Sequence, residues 1–223
     1  DQVFRALAAK FNNLCSGPPF SIPLVEDSEV LDAAVWCLEN DTDAGSVGTC
    51  FAIQENLFVT CAHCIGPNLR LFPRQNTTFG MEAELVAEDP HNDLALIRLR
   101  TPLPAYAPAA LLRLATALEA SAVGIRSAVQ TAGYPSNLHS ASLTRNSTEV
   151  TGFSRQSFDG TPPAADNVLA LLSGTFQGMS GGPVLHEGRV VGVIVRGPSN
   201  DDRTQVCLAV RSQHVLDMVA SLA

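Results

Sequence analysis

Charge is scarce in this chain: 16% of its 223 residues are charged, the formal net charge is -8, and no stretch is rich in lysine or arginine. A nucleic-acid binder or a protein of anionic membrane surfaces needs a basic footprint, so neither partner is expected. No apolar run reaches the length that crosses a bilayer, and the start, Asp1-Gln2-Val3-Phe4-Arg5, lacks the basic-then-apolar layout of a signal peptide. The chain is expected to be soluble, with room left for a removed leader or for further domains outside these residues. Six cysteines are too few to define a disulfide scaffold at this length, and the even count suits either three bridges or six free thiols. The sequons at Asn40, Asn76 and Asn146 tilt only slightly toward secretion, because a chain rich in Ser and Thr produces some by chance. Compartment stays open, with the intracellular side slightly favoured.

With 46% hydrophobic residues, the chain can bury one large core or two modest ones. Val3, Leu7, Phe11 and Leu14 stand at helical spacing, which predicts an N-terminal helical arm over residues 1–28. Short Val/Ile/Leu-rich runs follow at 33–38, 48–53, 57–61, 83–87, 94–99, 128–132, 168–172, 184–186, 190–195 and 206–210. Polar, Gly or Pro punctuation separates them, the signature of an antiparallel sandwich or barrel. The Pro/Ala/Leu-rich stretch from Pro102 to Val123 shows no alternation and reads as a crossover. It divides an N-terminal unit, residues 29–105, from a C-terminal unit, residues 106–223. Val215, Leu216, Met218 and Val219, after Ser212 as N-cap, predict a closing helix.

The strongest local signal is Gly178-Met179-Ser180-Gly181-Gly182-Pro183, between two strand candidates. Acyl transfer by a serine needs its hydroxyl on a tight turn, with adjacent N–H groups converging on the oxygen that becomes an oxyanion. The flanking glycines permit that turn, and the N–H groups of Gly178 and Ser180 would form the oxyanion hole. His63, in Val59-Thr60-Cys61-Ala62-His63-Cys64, supplies a base whose ordinary pKa lies near neutrality. Asp93 opens the run Asp93-Leu94-Ala95-Leu96-Ile97 and can accept the Nδ1–H of His63. Read singly, these are an incidental turn serine, a structural histidine and an ordinary strand cap. Read jointly, in the order His, Asp, Ser and each at a strand edge, they describe a catalytic triad.

Those segments, with Gly48-Thr49-Cys50-Phe51-Ala52-Ile53, resemble the landmarks of trypsin-like serine peptidases from about Ala33 to Val219. The short His63-to-Asp93 interval, Val86-Ala87-Glu88-Asp89-Pro90-His91-Asn92-Asp93 and Gly188-Arg189-Val190-Val191-Gly192-Val193 are similar to the HtrA-like branch. The resemblance implies an all-β fold of two six-stranded antiparallel barrels, and a serine endopeptidase acting on protein or peptide substrates without a cofactor. It implies a peptide lying along Val193–Arg196, and a specificity pocket walled by Gly174, Thr175, Phe176 and Gln177 on one side and Val195, Arg196 and Gly197 on the other. No acid falls at the pocket base, so small or medium uncharged residues are expected there, and Arg196 at the rim leaves open a preference for nearby acids. Met179 replaces the aspartate that digestive enzymes use to receive a cleaved N-terminus, so that mode of activation is not expected. Cys64 matches a familiar bridge position, with Cys50 offered as its partner. Phe4, Phe11 and Phe20 allow a homo-oligomer through the N-terminal arm, since trimeric HtrA relatives use N-terminal segments in that way.

Cys61-Ala62-His63-Cys64 is also a C-x-x-C, a candidate redox pair or part of a zinc site. No second C-x-x-C supplies further ligands, so no metal is expected. Another alternative is a catalytically silent chymotrypsin-like domain that binds peptides or regulates a neighbour. An esterase is disfavoured, because its Gly-x-Ser-x-Gly elbow leads into a helix and its triad runs Ser, Asp, His.

Overall fold

The computed structural model describes residues 28–41, 47–73, 80–103, 110–136, 142–172, 174–197 and 206–222. The expected N-terminal helix falls outside the described residues. A helix α1 (Ser28–Ala34) leads into β1 (Val35–Glu39), β2 (Val47–Gln54), β3 (Leu57–Cys61), β4 (Arg70–Phe72), β5 (Met81–Asp89) and β6 (Leu94–Leu99). These close into a barrel in the order β1-β2-β3-β6-β5-β4. The second barrel, in the order β10-β11-β12-β9-β8-β7, is built from β7 (Ala128–Gly133), β8 (Thr144–Ser154), β9 (Val168–Leu172), β10 (Pro183–His186), β11 (Arg189–Arg196) and β12 (Val206–Arg211). The chain thus has the chymotrypsin-like all-β fold.

β3 and β6 read as near-continuous apolar runs because both their faces are covered. Every residue of β3 is buried, and β6 exposes only Arg98. One face fills the first barrel, where Trp36 and Phe58 meet edge-tilted at 5.0 Å. The other face of β3 meets the second barrel, and Cys61 Sγ donates to the Ile194 carbonyl at 3.0 Å. β8 and β4 carry no such run. Strand β8, Thr144-Arg145-Asn146-Ser147-Thr148-Glu149-Val150-Thr151-Gly152-Phe153-Ser154, buries only Val150 fully, and β4 is three residues long.

Glu187 and Gly188, with φ of 49° and 73°, form the two-residue turn between β10 and β11. Two left-handed residues are what the right-handed twist of a hairpin demands. The crossover carries α2 (Ala117–Ser121), which opens with a capping box: Glu119 N donates to Thr116 Oγ1 and Thr116 N to the Glu119 carboxylate. It stitches the barrels together, since Leu112 N donates to Ala52 O at 2.8 Å and Ala115 N to Val190 O at 2.9 Å.

The closing helix α3 (Ser212–Ala220) buries Val215 and Met218. Ser212 is its first helical residue and not its cap. The N-cap position belongs to Arg211, and the Ser212 hydroxyl is buried without a hydrogen-bond partner among the described residues. Two of the sequons are committed to the fold: Asn40 Nδ2 donates to Cys64 O and Asn146 Nδ2 to Gly174 O. Among the described residues, no helix is long and apolar enough to cross a membrane.

Candidate active site

At the end of β3 the chain enters a 3₁₀ turn, Ala62–Cys64, closed by Ile65 N donating to Ala62 O at 3.0 Å. The turn lifts His63 out of the barrel wall, with its side chain 48% exposed. One carboxylate fixes both ends of this residue: His63 N donates to Asp93 Oδ1 at 2.9 Å, and ring Nδ1 lies 2.6 Å from Asp93 Oδ2. Asp93 holds a φ of 53°, a left-handed conformation that aspartate tolerates better than most residues. Its backbone is braced by Asp93 N to Pro90 O, by Ala62 N to Asp93 O, and by Asn92 Nδ2 to the Asp89 carboxylate at 2.7 Å. With Nδ1–H given to the carboxylate, the lone pair of the neutral ring sits on Nε2. The hydrogen bond to Asp93, and after it the Cys64 thiol, hold the proton affinity of His63 well above the ordinary imidazole value, against the opposing effect of burial.

Ser180 follows a turn in which Met179 N donates to Phe176 O at 3.0 Å. Gly178, at its third position, has a φ of 95°, the type II geometry that requires a left-handed residue there. A Cβ on Gly178 would lie 2.4 Å from Ser136 N and 2.5 Å from Tyr134 O, so glycine is obligatory. The carbonyls of the peptide groups that carry the Gly178 and Ser180 N–H are anchored: Gln177 O accepts from Ser136 N at 2.8 Å, and Met179 O from Gly182 N at 2.9 Å. In a planar trans peptide the N–H points opposite to the C=O. The Gly178 and Ser180 N–H groups therefore face away from those anchors, and neither has a protein acceptor among the described residues.

The first barrel holds this loop through Thr49, whose role the sequence reading missed although its motif was noted. Thr49 N donates to Ser180 O at 2.8 Å, and its hydroxyl donates to Gly178 O and accepts from Tyr134 N, each at 2.9 Å. Thr60 Oγ1 in turn donates to Thr49 O at 2.8 Å. Gly181 passes so close that a Cβ would sit 2.0 Å from Thr49 O. The backbone of Ser180 lies against the residue after His63, with Cys64 Sγ 3.9 Å from Ser180 O. Among the described residues, the His63 ring is bonded to Asp93, and no hydrogen bond joins it to Ser180 Oγ.

Residues 48–193, which span all of these groups, match the family model of the trypsin-like peptidase domain. The chain belongs to that family. No match was found among curated proteins. Of solved structures, the Rv3671c protease from M. tuberculosis in its active form superposes with a TM-score of 0.69 at 23% identity, over 88% of this chain and 85% of that one. The HtrA-type protease AlgW with tripeptide gives a TM-score of 0.70 at 17% identity, over 87% of this chain and 62% of that one. At such identities the likeness is one of fold.

In this peptidase domain Gly197 lies near Thr175 and Phe176: a Cβ on Gly197 would lie 3.5 Å from Thr175 Oγ1 and 3.7 Å from the Phe176 backbone. Gly174 O is tied down by Thr131 Oγ1 and Asn146 Nδ2, both at 2.8 Å. Thr175 is buried and its hydroxyl has no partner among the described residues, whereas Phe176, Gln177 and Arg196 are exposed. The expected peptide track is too long at one end. The N–H and C=O of Ile194 are spent on Gly182 O and Gly181 N, which leaves Val195 to Gly197 as the stretch beside the site. An open cleft of about 520 Å³ joins this stretch to His63 and Asp93, with Glu88 and Phe158 also lining it.

The cysteines depart from the expected bridge. Cys37, Cys50, Cys61, Cys64 and Cys207 are free thiols. The position facing Cys64 is Gly48 and not Cys50: a Cβ on Gly48 would lie 2.9 Å from Cys64 Sγ and 3.4 Å from its Cβ. Cys50 is buried and directed at the Trp36 carbonyl, and burial drives its thiol pKa well up. Cys64 behaves oppositely, its pKa lowered by the neighbouring Cys61 thiol and by His63, against the opposing effect of burial.

Proposed function

We propose that this trypsin-like peptidase domain is a serine endopeptidase, with Ser180 as nucleophile, His63 as general base and acid, and Asp93 as the group that fixes the His63 tautomer. The reading rests on the double grip of Asp93 on His63, 2.9 Å to its backbone and 2.6 Å to its ring, beside an anchored loop that presents Ser180. A substrate peptide lies along Val195 to Gly197, with its scissile carbonyl oxygen directed at the N–H groups of Gly178 and Ser180. Ser180 Oγ attacks as His63 Nε2 takes its proton, and the imidazolium then protonates the leaving amine. Water next hydrolyses the acyl-enzyme with His63 again as base. Gly174, Thr175, Phe176 and Gln177 face Val195, Arg196 and Gly197 across the primary specificity pocket, which takes small or medium uncharged side chains.

A silent, peptide-binding domain is the second reading, and the missing Ser180–His63 hydrogen bond is what favours it. Such bonds are often long in substrate-free enzymes and tighten on binding. A fluorophosphonate probe decides: labelling of Ser180 that vanishes in Ser180→Ala supports the peptidase, and an unlabelled, folded wild type supports the silent domain. Ser180→Ala and His63→Ala are expected to lower turnover by several orders of magnitude.

A further inference from the structure

Cys61, His63 and Cys64 place two sulfurs and a ring nitrogen within 4.8 Å of one another. The cause is local. A 3₁₀ turn brings residue i+3 back over residue i, so the thiol at the end of β3 meets the thiol that closes the turn, and Asp93 fixes the His63 ring beside them.

We propose that these three side chains bind one zinc-class divalent ion, and that the ion switches the peptidase off by occupying His63. The inhibitory consequence rests on the peptidase reading above; the binding does not. Zinc bonds of about 2.3 Å to sulfur and about 2.0–2.1 Å to nitrogen, at tetrahedral angles, set ligand atoms roughly 3.5–3.8 Å apart. From a separation of 4.8 Å the group needs to contract by roughly 1.0–1.3 Å at most. Two thiolates and one imidazole, with water in the fourth position, form a set that zinc uses, and thiolates select against magnesium and calcium. Asp93 on Nδ1 leaves Nε2 for the metal, in the carboxylate–histidine–metal arrangement that orients such ligands. Releasing the thiol protons orphans no acceptor: Ile194 O keeps Gly181 N at 2.7 Å and Ser180 O keeps Thr49 N at 2.8 Å. Each thiol and the His63 ring gives up to solvent the proton it carries before ligating, and no electron moves. An Nε2 bound to metal accepts no proton from Ser180.

The test is a cadmium and zinc titration, followed by calorimetry and by the ultraviolet thiolate-to-cadmium band, with fluorophosphonate labelling of Ser180 in parallel. One ion per chain is expected, with labelling lost as the band saturates and both effects reversed by a chelator. Cys61→Ala and Cys64→Ser should each weaken binding by more than about a hundredfold, since even outer-shell partners are worth about ten- to a hundredfold. Cys61→Ala should keep metal-free labelling, and Cys207→Ala, in the other barrel, should change nothing. Where Cys61→Ala does not fold, Cys61→Ser takes its place. Absence of the band, or binding that survives in both cysteine variants, overturns the site. A band without any Ser180 labelling in metal-free protein overturns the switch and the peptidase reading while leaving the ion site standing.

Discussion

Thr49 carries two buried backbone groups on one hydroxyl, the Gly178 carbonyl and the Tyr134 N–H, each at 2.9 Å. Thr49→Val keeps the shape and strands both groups, at a cost of about 1–3 kcal/mol each. The same change frees the Gly178 peptide from its anchor, so kcat should fall more than KM rises; Thr49→Ser should restore both. Denaturant midpoints and steady-state kinetics check this, and a kcat unchanged in a destabilised Thr49→Val would show that the anchor is structural only. At His63, the carboxylate of Asp93 stabilises the charged ring, so the neutral base forms only above the ordinary imidazole range. Activity should therefore rise with pH on a limb shifted to the alkaline side. Asp93→Asn should bring that limb down while lowering kcat by about 10⁴-fold through the wrong tautomer. The Thr175 hydroxyl, without a partner among the described residues, makes a third case. Thr175→Val should leave stability unchanged or higher, and selectively depress kcat/KM for peptides with a polar residue in the pocket.

Elements were legible in the sequence where burial was uniform. β3, β6 and β11 are covered on both faces and announced themselves as apolar runs. β8 did not, because a half-exposed strand that leaves Arg145, Asn146 and Glu149 partly open carries too few apolar residues to stand out. β4 was too short to make a pattern. The segments proposed to be reactive stood out because each chemistry has its own residue types near one strand end. Their supports could not: Thr49 and Gly178 are 129 residues apart and meet only once both barrels have closed. The residue facing Cys64 lies two positions from the Cys50 offered as its bridge partner, and it was illegible for a related reason, since glycine at 48 signals nothing by itself. The geometry there makes a prediction. Gly48→Cys would set Cβ atoms about as far apart as a disulfide requires, roughly 3.5–4.5 Å, against 3.4 Å here. Mild oxidation should then link positions 48 and 64 and stabilise the fold by about 2–4 kcal/mol. Thiol counting by mass and a denaturant titration, with and without reductant, would reveal a failure to cross-link.

Across the whole molecule, the site exists because two barrels grip each other at polar points around it. Asn167 of the second barrel donates to Asn92 Oδ1 at 3.0 Å and to Gln156 O at 2.9 Å, and Asn92 immediately precedes Asp93. Arg145 pairs with Asp32 on another side of the same contact. His214 on α3 completes the Asn92 cluster, with its Nδ1 3.3 Å from Asn92 Nδ2. Burial holds the His214 pKa below the ordinary imidazole value, opposed by Asp89 and Asp217 and assisted by His91 and Arg211. Above that ordinary value both folded and unfolded chains carry it neutral, and stability is unaffected. As pH falls through about 6.5, the unfolded chain takes up a proton that the folded one refuses, so stability declines until the depressed folded value is passed. His214→Gln should flatten this acid limb in chemical denaturation without changing stability much at neutral pH. Asn167→Ala should cost about 1–3 kcal/mol at any pH by stranding Asn92 and Gln156. Because both residues act on Asn92, the double variant should depart from additivity, by about 0.5 kcal/mol or more. Strict additivity would mean that the closing helix and the second barrel hold the Asp93 turn independently.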